Sequence, residues 1–453
     1  MTRLLALLLL LSLPLFAMLL QGKERNRLWA FAAIAALPFC SNLPITGYLY
    51  GWFPFYGIVI GFGVALMDIL AAALIFSRRK ALRKLPFWPI FALYGITLLL
   101  SIFSSPRWIA TTFVWWQFAR MLLLFAAVGG EAYRPEVRQF LIFGWAIGLI
   151  YQAANVFIQK LNGVVQASGT FGHQNILGLA IELSILPLIG AYLAGNRSKF
   201  IPIGIVSALI CVAGSGSRAT VGLVGVSIVG LVTISLIRRL TPHKTKAVAF
   251  AVVGIAIASP FAIATLNSRF DGASFVTEEE GRLAFEKAAA AMAEDHPIGV
   301  GANQSVYVSN QNGYAERAGV SWRFQDRSVP VHNAYLLARA ETGWLGQIAF
   351  FLMLAVPAFF AFRLAFANRN WPGGELLLGC GMAIVTNMVH NNYEFATHTA
   401  PIMSLLFINF GIIAALWRVE KGRKRKPLRR PSGRREAVED DARVPEPVAF
   451  RST

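Results

Sequence analysis

Four polar residues stand close together just before a long apolar run and could perform acid–base or anion-binding chemistry. They are His332, Asn333, Arg339 and Glu341. Histidine titrates near neutral pH, so an imidazole can take a proton from a hydroxyl group. A guanidinium group binds phosphate oxygens through a planar fork of donors. The stretch 328–346 is therefore the first candidate for an active site.

Further charged residues lie inside or beside apolar runs. Arg120, Asp68 and Glu182 each interrupt an apolar run. Ionisable groups at membrane depth are rare and face a cavity or a partner, so Arg120 is predicted either to bind substrate or to pair with an acid. Arg218 follows the small residues from Gly214 onward, where the backbone can approach a bulky anion. The alternative for Arg218 is an interfacial position with its charge extended towards the lipid headgroups.

The composition indicates the class of protein that must position these residues. The chain of 453 residues is 56% apolar and 14% charged, against about 25% charged for a typical soluble domain. Roughly 20 apolar residues cross a bilayer core. Apolar runs of about that length recur along the chain, near 4–20, 28–43, 57–76, 86–103, 109–129, 139–158, 173–194, 200–213, 219–236, 247–266, 344–366, 374–389 and 400–417. Because lipid satisfies no backbone groups, these runs are expected to be helices. We predict an all-α polytopic membrane protein with about 12–13 transmembrane helices.

Alternating basic loops predict the topology and the domain organisation. The positive-inside rule places the C-terminus in the cytoplasm and the longest loop on the outer face. The predicted units are transmembrane helices over 1–266, an outer loop over 267–343, further transmembrane helices over 344–417 and a disordered basic tail over 418–453. The net charge of +19 lies mostly in loops and tail, so no nucleic acid partner is predicted. The three cysteines predict no disulfide framework.

The long loop carries its own signals. Strong helix formers from Arg282 to Glu294 predict a surface helix, which the breakers after His296 end. If the helix after His332 is regular, Arg339 shares the face of His332, whereas Glu341 is turned away and pairs with an arginine. No histidine pair has the spacing of metal ligands, so no metal site is predicted.

Several of these segments, taken together and in order, resemble the motifs of the bacterial O-antigen ligase and O-antigen polymerase (Wzy) superfamily. The segments are TFGHQN at 170–175, GSGSR at 214–218, the arginine at 282, HPIGVG at 296–301, VHNAYL at 331–336 and ETGWLG at 341–346.

The resemblance implies a membrane glycosyltransferase of the inner membrane that takes a glycan from undecaprenyl diphosphate on the periplasmic side. It implies transfer to an acceptor hydroxyl with no nucleotide sugar, cofactor or metal. His332 is then expected to be the general base, and Arg218 and Arg282 to stabilise the diphosphate leaving group. A wider set is expected to contact the donor or substrate: Arg218, Arg282, Arg339, Asn333, Arg120, His390 and Asn391.

Three interpretations stay open from the sequence. A ligase passes the glycan to the lipid A-core, whereas a polymerase passes it to another carrier-linked repeat unit. The single long outer loop late in the chain favours the ligase slightly. A transporter or flippase for a lipid-linked anion is the third, although the paired repeats typical of such carriers are not seen. Membrane lipids are expected partners in every case.

Overall fold

The protein is built almost entirely from apolar helices. The computed structural model describes residues 2–52, 57–78, 85–246, 248–249 and 274–425. Seven helices in this part of the chain are long and apolar enough to cross a membrane, and three shorter helices are also apolar. The predicted class, an all-α polytopic membrane protein, is confirmed. The predicted span near 247–266 falls outside the described residues.

The helices follow one another through the described chain, with two short 3-10 turns at Leu37–Phe39 and Ala396–His398. In chain order they are α1 Thr2–Leu20, α2 Glu24–Ala36, α3 Leu66–Phe76, α4 Trp88–Leu100, α5 Trp108–Glu131, α6 Pro135–Leu161, α7 Gln174–Leu193, α8 Phe200–Ser215, α9 Arg218–Arg238, α10 Ser274–Asp295, α11 Ser305–Gln311, α12 Tyr314–Arg317, α13 Phe324–Arg327, α14 Ala334–Ala367, α15 Gly373–His390 and α16 Ala400–Arg425. The last helix continues past position 418, where the disordered tail was predicted to begin.

One predicted span is only partly helical. The apolar run over 57–76 contains a strand, β2 Gly61–Ala65, antiparallel to β1 Thr46–Gly51, and becomes helical only in α3. Glycine explains the difference, because the hairpin packs against α1 without room for side chains. A Cβ atom on Gly47 of β1 would lie 2.3 Å from the backbone nitrogen of Ala6, and one on Gly61, within the apolar run, would lie 2.4 Å from the carbonyl oxygen of Tyr50 on the paired strand. The glycines in this run are therefore the signal that the apolar pattern alone did not reveal.

Burial separates central helices from peripheral ones. The most apolar windows of α7 and α16 are 89% and 83% buried inside the protein, whereas those of α9 and α1 are 28% and 11% buried. The centre therefore lies around α7 and α16, packed with rings such as Phe407 and Phe410. Because α9 stays at the edge, one side of it is open along its length.

Charged side chains within the helical bundle are paired. Arg120 Nε lies 2.6 Å from Asp68 Oδ2, and the same oxygen accepts the backbone N–H of Ala65. Elsewhere in the bundle, Glu375 lies between Arg238 and Lys244. The structure thus gives Arg120 the acidic partner that the sequence allowed as one of two interpretations.

Removing Arg120 is expected to destabilise the fold. Replacement by leucine leaves Asp68 buried and unpaired, which lowers the free energy of unfolding by about 3–5 kcal/mol. Thermal denaturation in detergent measures this effect. Adding Asp68→Asn to Arg120→Leu should recover most of the lost stability. A single variant that melts like the native protein but loses the glycan transfer that the family resemblance implies would contradict the structural role and favour the predicted substrate role.

Candidate functional site

A large cavity collects several of the predicted site residues at one end of the helical bundle. Its volume is about 1280 Å³. Its walls come from the starts of α7 and α9, the first half of α10, the loop around α13 and the residue before Asn333. Three predicted residues that are far apart in the sequence meet there: Arg218, Arg282 and His332.

The first turn of α9 forms one wall of the cavity. Gly216 adopts a positive φ of 59°, and the Ser217 side chain caps the helix by accepting the backbone N–H of Thr220 at 3.3 Å. The helix therefore begins at Arg218, with its amide groups and the positive end of its dipole at the cavity wall. A guanidinium group beside a helix N-terminus makes this wall suited to a phosphate group.

Two further arginines line the cavity from separate elements. Arg282 lies on α10, and Arg323 lies immediately before α13. Glu280 and Asp326 are the acidic residues among the lining positions. Arg323 was not predicted, because its loop carries no recognisable motif. Three guanidinium groups from three elements can surround an anion with more than one charge.

His332 lies in the non-helical segment that precedes α14 and not on a helix. The Asn333 side chain caps α14 by accepting the backbone N–H groups of Tyr335 and Leu336 at 3.1 and 3.0 Å. The imidazole of His332 packs against Phe395, with ring centroids 5.4 Å apart, and is partly buried. His332 therefore shares no helical face with Arg339, contrary to the prediction from helical spacing.

A buried carboxylate lies beside His332. The Oε1 atom of Glu394 is 3.4 Å from His332 Nδ1 and also accepts the backbone N–H of Phe395 at 2.9 Å. Its Oε2 atom accepts the side-chain amide of Asn175 at 3.0 Å. Burial by itself raises the pKa of Glu394, but His332, Asn175 and His173 stabilise the carboxylate and bring its pKa down to about 2. Glu394 is ionised at any ordinary pH.

Sequence reasoning missed Glu394. The predicted residues in this segment were His390 and Asn391, although Glu394 is the only acidic residue between positions 389 and 399. That isolated charge in an otherwise uncharged outer loop was the available signal.

A second imidazole, that of His173, also lines the cavity. His173 immediately precedes α7, and its Nδ1 atom accepts the backbone N–H of Asn175 at 3.3 Å. Burial lowers the pKa of His173 and outweighs the opposing effect of Glu394, while His332 and Arg282 lower it further. His173 is therefore neutral at neutral pH.

Five predicted contact residues are not part of the cavity wall: Asn333, which caps α14, and four that lie elsewhere. Arg120 is paired with Asp68, and the Arg339 guanidinium stacks 3.8 Å from the ring centroid of Trp344. His390 is fully buried against Glu182, with Nδ1 and Oε1 2.9 Å apart. Asn391 is also fully buried, and its carbonyl accepts the backbone N–H of Ala334 at 2.8 Å. The structure brings none of these four to the cavity wall, although Asn391 supports the segment that carries His332.

A break in α14 joins the long loop to the membrane helices. Gly343 has φ 70° and ψ −173°, which ends the first part of the helix. The carbonyls of Ala340 and Glu341, freed by the break, accept the backbone N–H groups of Val300 and Gly301, each at 2.9 Å. The ETGWLG and HPIGVG segments therefore act as a clamp between loop and helix.

The Glu341 side chain completes the clamp. Its carboxylate accepts the backbone N–H of Asn303 at 2.7 Å and the hydroxyl of Ser305 at 2.7 Å, at the start of α11. The predicted pairing of Glu341 with an arginine is replaced by these backbone and hydroxyl donors. They suit a buried carboxylate because they satisfy its charge at a helix N-terminus.

Taken together, fold and cavity define a polytopic membrane protein whose site combines a histidine–carboxylate pair with three arginines. Residues 203–351 match the family model described as O-antigen ligase. The matched segment contains Arg218, Arg282, Arg323 and His332 and ends beyond the break at Gly343. This match confirms the predicted resemblance to the O-antigen ligase and polymerase superfamily and supports a glycosyltransferase activity of that general type. No curated protein matches the chain.

We searched the described part of the chain for side chains that could bind a metal ion. The described residues contain no group of three or more His, Cys, Asp or Glu side chains that could hold a metal ion.

The break in α14 predicts a glycine requirement at position 343. A Cβ atom on Gly343 would lie 2.5 Å from the carbonyl oxygen of Pro297, in a left-handed conformation that side chains disfavour. Gly343→Ala is expected to lower the free energy of unfolding by about 1–3 kcal/mol, as measured by thermal denaturation in detergent. Gly225→Ala is the matched control, because its added Cβ meets nothing within 4 Å. Equal melting of the two variants would contradict the clamp.

Proposed function

We propose that the protein is an inverting, metal-independent glycosyltransferase that transfers a glycan from undecaprenyl diphosphate to an acceptor hydroxyl. The transfer takes place at the periplasmic side of the inner membrane, in lipopolysaccharide or surface polysaccharide synthesis. The observation that carries the proposal is the placement of His332 in one cavity with Arg218 and Arg282, all within the segment that matches O-antigen ligase.

The lining of the cavity suits a lipid-linked diphosphate. Its charged part lies at Arg218, while Leu223 and Val226 line it further along the same helix. Val226 is 73% exposed. A diphosphate at the start of α9 would thus leave the polyprenyl chain along an apolar helix face that reaches the edge of the bundle. Favourable burial of such a chain scales with the apolar area removed from water.

The chemistry follows from the two kinds of charged group. His332 takes the proton from the acceptor hydroxyl while that oxygen attacks the anomeric carbon. The bond from this carbon to the diphosphate oxygen breaks, and the electron pair leaves with the diphosphate. Arg218 and Arg282 stabilise the charge that develops on the leaving group. Because the oxygen attacks opposite the departing diphosphate, the anomeric configuration inverts.

The identity of the acceptor distinguishes a ligase from a polymerase, which share the same donor chemistry. We favour a ligase with a lipid A-core acceptor, because the single long loop late in the chain suits that member of the superfamily. A polymerase would use the same donor chemistry with a carrier-linked repeat unit as acceptor. The two are separated by offering each acceptor alone.

The first test is transfer by the purified protein in detergent. An undecaprenyl-diphosphate-linked glycan is incubated with lipid A-core or with carrier-linked repeat units, with and without EDTA. We expect transfer to the lipid A-core that EDTA does not reduce and that His332→Ala lowers by about 100-fold or more. His296→Ala is the matched control, because His296 lies in the same loop but outside the cavity wall, with its ring edge-on to Tyr314.

Each other result has a distinct meaning. Transfer only to carrier-linked units identifies a polymerase, and loss of transfer in EDTA refutes metal independence. Equal rates for His332→Ala and the native protein refute the assignment of the base. No transfer to either acceptor, from protein that moves the donor across liposomes, refutes the enzyme and favours the transporter.

A second prediction concerns Arg218 and Arg282 and does not depend on the assignment of His332 as the base. Lysine keeps the charge at Arg218 or Arg282 but loses the planar fork that binds phosphate in two places. We expect kcat to fall by about 100-fold in Arg218→Lys and in Arg282→Lys. Arg317→Lys should stay within about twofold of native, because Arg317 lies on α12 and stacks on Tyr314. Equal losses in all three variants would show that the effect is not specific to the cavity.

A further inference from the structure

The two histidines of the cavity are held in opposite hydrogen-bonding environments. His332 presents Nδ1 to Glu394, a carboxylate that can only accept a hydrogen bond when ionised. His173 presents Nδ1 to the backbone N–H of Asn175, which can only donate. A neutral imidazole carries a single proton, so its partner at Nδ1 decides which nitrogen holds it.

Asn175 connects these two environments. Its backbone N–H donates to His173, and its side-chain amide donates to Glu394 at 3.0 Å. Because the carboxylate is an acceptor, the amide nitrogen must face it and the amide oxygen must face away. That oxygen accepts the hydroxyl of Ser217 at 2.9 Å. Every polar atom of the buried Asn175 side chain therefore has a defined orientation.

We propose that Glu394 and Asn175 form a positioning frame that sets opposite tautomers on the two cavity histidines. His332 carries its proton on Nδ1, towards Glu394, which leaves Nε2 as the general base. His173 carries its proton on Nε2 and is a hydrogen-bond donor to an oxygen of the bound donor substrate. This assignment of roles rests on the proposed function.

The charges around the pair agree with this assignment. Glu394 is ionised, so it stabilises the imidazolium that forms when His332 accepts the hydroxyl proton, as the carboxylate of a catalytic triad does. Arg282 and His173 also face this region. His173 stays neutral because burial lowers its pKa and the nearby His332 and Arg282 lower it further. The separation of 3.4 Å between Glu394 Oε1 and His332 Nδ1 is longer than a typical hydrogen bond, and we expect it to shorten when substrate binds.

The frame also links the base to the wall that binds diphosphate. Ser217 donates to Asn175 and at the same time caps the helix that starts at Arg218. A chain of hydrogen bonds therefore runs from Glu394 through Asn175 to the start of α9. This chain fixes the distance between the group that takes the acceptor proton and the group that receives the leaving diphosphate. It also gives the TFGHQN segment a role that the sequence did not reveal.

The direct test reads the tautomers and needs no substrate. Protein labelled with ¹⁵N in histidine is studied in detergent by long-range ¹H–¹⁵N correlation, with His332→Ala and His173→Gln to assign the two rings. We expect the Nδ1–H form for His332 and the Nε2–H form for His173. In Glu394→Gln the negative charge that favours a proton on Nδ1 of His332 is lost, so we expect the Nε2–H form of His332 to gain population.

The kinetic test separates positioning from folding. Glu394→Gln should lower kcat by about 100-fold and leave the KM for donor within about twofold, because the base is lost while the arginines remain. Glu394→Asp, which keeps the charge, should recover part of kcat. Glu316→Gln, at an exposed residue of α12, is the matched control and should behave like the native protein.

Two results would overturn the frame. An Nε2–H form of His332 in the native protein refutes it, whether or not Glu394→Gln folds. A folded Glu394→Gln variant with native kcat refutes it as well. If the native protein shows both expected tautomers but transfers no glycan, the proposed function fails and the frame stands.

Discussion

Two backbone hydrogen bonds hold the long loop before α14 against the membrane helices. They run from the amides of Val300 and Gly301 to the carbonyls of Ala340 and Glu341. These carbonyls are available only because Gly343 interrupts the helix that would otherwise use them. The first part of α14, which begins directly after His332 and Asn333, is thereby fixed relative to the loop and to the cavity. A continuous helix would leave the loop without this attachment.

Arginine side chains occur in two different environments in this protein. Within the helical bundle, Arg120 is paired with Asp68 and Arg238 with Glu375, because an unpaired charge in an apolar surrounding is strongly unfavourable. Around the cavity, Arg218, Arg282 and Arg323 come from three different elements. Under the proposed function they bind an anionic group, so the same residue type would serve stability in one place and substrate binding in another.

The site is assembled from parts of the chain that are far apart. Asn175 and Glu394 make direct contact although 219 residues separate them. The matched segment 203–351 contains the arginines and His332 but neither member of this pair. The family resemblance therefore covers the groups proposed to act on substrate, while the groups that orient them come from α7 and from the turn before α16. A description limited to the matched segment would leave His332 without its carboxylate partner.

The sequence by itself determined the class of protein and the positions of most of its helices. Apolar runs of helical length and the capping Asn333 are local patterns, and a local pattern depends on few neighbours. The motifs also indicated His332, Arg218 and Arg282, which the structure then places around one cavity. The hairpin that replaces the start of α3 was missed because close packing against α1 depends on a distant segment.

Only the tertiary structure decided which polar side chain meets which. Arg339 and His390 have residue types suited to a phosphate site, yet one stacks on Trp344 and the other is buried against Glu182. Glu394 has no motif of its own, yet it lies beside the candidate base. Hydropathy and spacing describe a residue along the chain, whereas the energy of a charge depends on the groups that surround it in space. That surrounding is set by the packing of helices far apart in sequence.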